Sequence, residues 1–214
     1  LITSSLGTLN YGEEADMDIT TLSNYVVSQF SQQSPDGITP MKLQKLLYYI
    51  KVWTTVAEQE LVSASFEHWD YGPVNREIYD SYKEYGRNVI DPTQLDPVHI
   101  NESARGLVDF IVENYIKFDA FTLSAMTHME EPWKKTQRNN IISSDLIKSY
   151  YRGQYFANNF RPFDLSNNEF YPLHNYSFTI DMTEKDAGEI TKYSSYEAYK
   201  HALIEAENRF NEEW

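Results

Sequence analysis

A mainly α-helical fold, a compact helical domain with a small β element and a C-terminal helical extension, is what this sequence predicts. Three observations predict it. Apolar residues recur at helical spacing in Ile19–Phe30, Leu43–Ala57 and Leu107–Ile116, the pattern of helices that bury one stripe. Residues suited to starting and stopping helices stand at the ends of these runs. Strand-like alternation is confined to short runs, Phe66–Trp69 and Tyr176–Ile180, too little for a large sheet. The 214 residues suit one domain with extensions.

Residues 1–16 are small, polar and weakly patterned, and read as a flexible N-terminal segment or a vector-derived remnant, with Met17-Asp18 as a natural start. The helical domain is expected over 17–156. Its first helix runs from Asp18, a capping residue, to about Gln32, with Ile19, Leu22, Tyr25, Val26 and Phe30 on one side. Ser34-Pro35-Asp36-Gly37 is a turn. The second helix starts with Thr39 as cap and Pro40 in first position, where a missing N–H costs nothing. Leu43, Leu46, Leu47, Ile50, Trp53 and Ala57 form its stripe, and Lys42, Lys45 and Lys51 are expected largely away from it.

A connector from Glu60 to Asp70 follows, with a short strand at Phe66–Trp69. Gly72 permits unusual backbone angles, and Pro73 is expected to open the third helix, which stops at Gly86. After a loop with Pro92 and Pro97, a fourth helix spans about Ser103–Phe118 and a fifth Thr122–Met129, limited by Pro132. A sixth runs from Ser144 to about Tyr155. Residues 157–214 form the extension, with a strand at Tyr176–Ile180 and helical spacing from Ser195 to Trp214.

The balance of 18 basic and 32 acidic residues gives a net charge of −14. Such a field repels a phosphate backbone, so nucleic acid is not an expected partner. It suits solubility, or basic protein partners. Without cysteine, disulfides, thiolate nucleophiles and Cys-based zinc sites are excluded. No apolar run approaches the roughly 20 residues of a membrane helix, and the N-terminus shows neither a basic region nor an apolar segment. No membrane association is expected, and the expected location is the cytoplasm. With 17 Tyr, 11 Phe and 4 Trp, the apolar content leans on aromatics, which serve both cores and contact surfaces.

The sequence offers little for catalysis. There is no Gly-rich phosphate loop and no nucleophile elbow. His68, His99, His128, His174 and His201 include no pair at zinc-binding helical spacing. Glu130-Glu131 reads as a capping or solvated pair, and His68 beside Asp70 lacks a nucleophile or phosphate cradle. No catalytic residue, cofactor or metal is expected.

Three stretches carry a family pattern: Ile38-Thr39-Pro40-Met41-Lys42-Leu43-Gln44-Lys45-Leu46-Leu47-Tyr48-Tyr49; Phe66-Glu67-His68-Trp69-Asp70-Tyr71-Gly72-Pro73-Val74 with Ile78-Tyr79 and Tyr85-Gly86; and Leu123-Ser124-Ala125-Met126-Thr127-His128 with Pro132-Trp133. Together, over roughly Ile19–Tyr155, they resemble the Panacea domain of SocA-like antitoxins. The resemblance implies an antitoxin that neutralises a cognate toxin, usually encoded by the adjacent gene, by direct binding. Toxins of the small alarmone-synthetase type are prominent among such partners, and some members occur in prophages. The alternative it implies is a proteolytic adaptor delivering a toxin to ClpXP. No catalytic residue carries over from it. Trp69, Gly72, Pro73, Val74, Gly86, Pro132 and Trp133 are expected to fix the scaffold. Tyr71, Tyr79, Tyr82 and Tyr85 are the candidate partner contacts, and Tyr79 and Tyr82 are expected to be replaceable without loss of fold. The segment after Phe156 either selects the toxin or covers the domain's hydrophobic flank.

Overall fold

The second helix organises the molecule because nearly every side of it is covered. The computed structural model describes residues 17–57, 60–96 and 98–153, and in them seven α-helices and one two-stranded sheet. Residues 1–16, the Tyr176–Ile180 run, the Ser195–Trp214 run and the boundary at 156 lie outside the described residues. The Thr39 hydroxyl accepts from the Lys42 N–H, and Pro40 begins α2 (Pro40–Val56). Fourteen of its 17 residues are buried, so the helix has no extended polar face. It packs against α1 (Ile19–Phe30), α3 (Arg76–Tyr82), α4 (Glu102–Tyr115), α5 (Ala120–Met129) and α7 (Ser144–Tyr151).

Side-chain caps set most of the other helix starts, each answering an otherwise orphaned N–H. Asp18 caps α1, Asn75 α3, Asn101 α4, Asp119 α5 and Ser143 α7. The third helix continues as a 3-10 turn, Lys83–Tyr85, and stops at Gly86, whose φ of 54° is left-handed. A short α6 (Glu131–Lys134) holds Pro132 in its first turn. Tertiary bonds tie these elements together: Tyr25 donates to Asp109 at 2.6 Å, from α1 to α4, and Trp53 Nε1 to the Tyr115 hydroxyl at 2.8 Å, from α2 to α4.

Two expectations from the sequence are corrected. Pro73 does not open a helix. Strands β1 (Glu67–Trp69) and β2 (Gly72–Val74) form an antiparallel hairpin, with Trp69 opposite Gly72 and His68 opposite Pro73. β2 is an edge strand, the place where a residue without an N–H donor is tolerated, and α3 begins after it at Arg76. Lys42 and Lys45 do not point away from the core: each is 1% exposed. Lys42 Nζ donates to Ser34 Oγ at 2.7 Å and Lys45 Nζ to the Pro73 carbonyl at 3.1 Å. A buried amine is tolerated where acceptors await it. Lys51 remains partly exposed and pairs with Glu60.

Candidate functional site

The hairpin is held by its own carbonyl groups. Trp133 Nε1 donates to the Trp69 carbonyl at 3.1 Å, His128 Nε2 to that of Asp70 at 3.0 Å, and Ser124 Oγ to that of Tyr71 at 2.9 Å. With Lys45 on the Pro73 carbonyl, donors from α2, α5 and α6 grip four residues of one turn. A carbonyl only accepts, so His128 carries its proton on Nε2. Burial, with Lys45 nearby, pushes its pKa down to about 4, which keeps the ring neutral at pH 7. Burial likewise pushes the Lys45 amine down to about 7.

Gly72 is required by this grip. Its φ is 97°, and a Cβ would lie 2.6 Å from Thr127 Oγ1 and 2.8 Å from Lys45 Cε. Pro73 and Val74 are buried beside it. Gln44 pairs with the chain just beyond: the Asn75 N–H donates to Gln44 Oε1 at 2.8 Å, and Gln44 Nε2 donates to the Asn75 carbonyl at 3.0 Å. The Asn75 side chain accepts from the Ile78 N–H at 3.0 Å and donates to the Ser65 carbonyl at 2.9 Å. Trp133 stands between two imidazoles, with ring centroids 3.9 Å from His68 and 4.1 Å from His128.

An aromatic and cationic stack lies outside this anchored turn. The rings of Trp69 and Tyr79 are 5.1 Å apart. The Arg76 guanidinium lies 5.3 Å from the Trp69 ring and the Lys83 ammonium 5.9 Å from the Tyr79 ring, within cation–π reach. Glu67 orders the stack, accepting from Trp69 Nε1 at 3.0 Å and Arg76 Nε at 2.6 Å. Those bonds, Arg76's above all, hold its carboxyl below the usual carboxylate range. Trp69, Tyr71, Tyr79 and Tyr85 are half-buried, and Arg76 and Lys83 are exposed.

Tyr82 does not belong to that surface. It is 3% exposed, its hydroxyl lies 3.0 Å from Ser23 Oγ, and it donates to Asn24 Oδ1 at 2.5 Å. Its ring centroid is 6.3 Å from that of Tyr85, so it supports Tyr85 from within. The structure thus brings Trp69 and Tyr79 together, places Tyr71 at the hairpin turn and Tyr85 beyond α3, and removes Tyr82 to the core.

Of the capping or solvated role expected of it, Glu130 takes the cap position by its backbone, without a side-chain cap bond, and its carboxyl is not solvated. It links α5 to α6, and its carboxyl accepts from the Tyr49 hydroxyl at 2.9 Å. Tyr49 stacks on Tyr115 at 4.0 Å. Burial pushes the Glu130 carboxyl up to about 7, against the opposing pull of the Tyr151 and Tyr49 hydroxyls. Glu130 Oε2, Tyr48 Oη and Tyr151 Oη are buried without a well-aligned hydrogen-bond partner. Among the described residues, no three His, Cys, Asp or Glu residues are grouped to hold a metal ion, and no helix is long and apolar enough to cross a membrane.

Sequence reasoning missed Gln44, Lys45, Asn75, Arg76 and Glu130. The first two carried no distinguishing mark: Lys42 stands three residues before Lys45 and Lys51 seven after Gln44, so all four read as one polar edge of the helix. Arg76 and Asn75 gave no signal apart from their neighbourhood with Trp69 in the folded chain.

Residues 43–134, from α2 through α6, match the family model described as the SocA-like antitoxin, Panacea domain. The match is narrower than the resemblance read over Ile19–Tyr155, and leaves out α1 and α7. No curated protein and no solved structure matches the chain.

Proposed function

We propose, from the premise that residues 43–134 carry a SocA-like Panacea domain, that this chain neutralises a cognate protein toxin by binding it at the hairpin and α3. The observation that carries the proposal is the stack of Arg76, Trp69 and Tyr79. Trp, Tyr and Arg are the residue types that dominate interface energy when they are set in an ordered, packed surround. Here Glu67 and the gripped turn supply that order, so little conformational freedom remains to be lost on binding. Tyr71 and Tyr85 extend the surface. The toxin would be the product of the adjacent gene, of the small alarmone-synthetase type; this finer identification rests on the family resemblance.

The test is co-expression with the adjacent gene product, followed by titration of the purified proteins. A binder restores growth and saturates at about one to one, whereas an enzyme would neutralise a large molar excess. Replacing Arg76 and Tyr79 together with Ala should weaken the complex about 30-fold, the equivalent of roughly 2 kcal/mol, with little change in thermal melting. Undiminished affinity in that variant, or no complex with the wild type, would refute the reading.

A further inference from the structure

The chain carries a net charge of −14, and a field of that size suits a basic partner. The docking face departs from it. Residues 67–87, with Arg138 paired to Asp70, hold four basic and five acidic side chains, so almost none of the acidic excess lies here. The cations beside the stack are also closed into pairs. Arg76 Nε lies 2.6 Å from Glu67 Oε1, Lys83 Nζ 2.9 Å from Asp80 Oδ1, and Arg138 Nη2 2.5 Å from Asp70 Oδ2. Both oxygens of Glu67 are engaged, because Oε2 accepts from Trp69 Nε1 at 3.0 Å.

We infer that the toxin surface seated on Trp69 and Tyr79 is an apolar patch of no net charge, not a basic one. The inference rests on the toxin reading and narrows it. A toxin lysine or arginine reaches Glu67 only by displacing Arg76 or the Trp69 indole, and either exchange disorders the stack it is meant to bind. Trading one such bond for another gains little. Rings already ordered by their neighbours instead offer apolar area at low entropic cost. The Arg76 and Lys83 heads lie 5.3 Å from the Trp69 ring and 5.9 Å from the Tyr79 ring, so their aliphatic stems add to that area. An interface centre has this character, apolar and poor in unpaired charge, with ion pairs left at a wet rim. The screening length is about 10 Å at 0.1 M salt. Acidic groups outside the face therefore contribute little once the toxin is seated; they serve solubility and the rate of encounter.

The test is the dissociation constant of the full chain with the adjacent gene product, in sodium chloride at about 0.1 M and about 0.5 M. It should change by less than about threefold, since no charge pair forms across the centre of the interface. Tyr79→Glu and Tyr79→Lys should each weaken binding by about tenfold or more, and to a similar degree. Asp80→Asn combined with Lys83→Gln removes one pair without changing the net charge, and should stay within about threefold of wild type. Circular-dichroism melts identify a variant that fails to fold, and the salt comparison uses the wild type alone. Weakening of about tenfold in high salt, or much tighter binding by Tyr79→Glu than by Tyr79→Lys, would mark a basic toxin patch. Either result would overturn the inference and leave the toxin reading standing. The reverse preference, for Tyr79→Lys, would mark an acidic patch and overturn it as well. A complex indifferent to both Tyr79 variants, or no complex at either salt concentration, would refute the docking face and the inference together.

Discussion

Lys45 and Tyr49 share one face of α2, one helical turn apart, as do Gln44 and Tyr48. All four are buried, yet the two turns solve the same problem differently. At Gln44 and Lys45, backbone groups of the hairpin and of Asn75 answer the polar atoms. At Tyr48 and Tyr49, the neighbours are Glu130 and Tyr151, and three polar atoms lack a well-aligned partner. A satisfied network fixes geometry; a partly satisfied one leaves a carboxyl whose charge is disfavoured. The gripped turn therefore tolerates no change, whereas the Glu130 site stands to gain stability from one.

The largest effect should come from breaking the first site. Gly72→Ala forces a side chain into left-handed backbone and against Thr127, and should lower unfolding free energy by about 3 kcal/mol in urea titrations. Asn75→Ala removes the cap of α3 and the bond to Ser65, and should cost about 2 kcal/mol at pH 5 and pH 8 alike. A loss confined to one pH would contradict a purely structural network.

The smallest effect has the opposite sign and depends on pH. The Glu130 carboxyl is raised from 4.5 to about 7, so between those values the folded state binds more protons than the unfolded one. Its contribution is fully present below about pH 4.5, falls as pH rises towards 7, and is flat above. Glu130→Gln keeps an acceptor for Tyr49 and removes the charge. It should match wild type near pH 4.5 and exceed it by about 1 to 2 kcal/mol at pH 8. His128 and Lys45 titrate in both proteins, so their contributions cancel in the difference. A variant no more stable than wild type at pH 8 would show the carboxylate to be well accommodated.

Helix boundaries were legible where capping chemistry is local. Asp18 and Thr39-Pro40 mark the starts of α1 and α2, and Gly86 the end of the α3 segment. The direction of side chains was less so. Lys42 and Lys45 look solvated in a pattern that assumes one buried stripe, but α2 is enclosed, and the acceptor for Lys45 lies 28 residues away. Gly72-Pro73 resembles a helix start, and only its pairing with Trp69 and His68 makes it a strand. For the same reason Tyr79 and Tyr82, three residues apart on a short helix, read alike until Ser23 and Asn24 claim one of them. Glu130, next to an exposed Glu131, carries no local mark of burial.

The placement of the indoles gives the chain an optical gauge of its own. Trp53 is sealed in the interior and bonded to Tyr115, while Trp69 and Trp133 sit on and beneath the proposed docking face. A ligand seated there would change the polarity around Trp69 and leave Trp53 in the dark of the bundle. With Trp214, outside the described residues, replaced by Phe, emission colour and quencher access would then separate occupancy of the outer surface from loosening of the whole protein, without any attached dye.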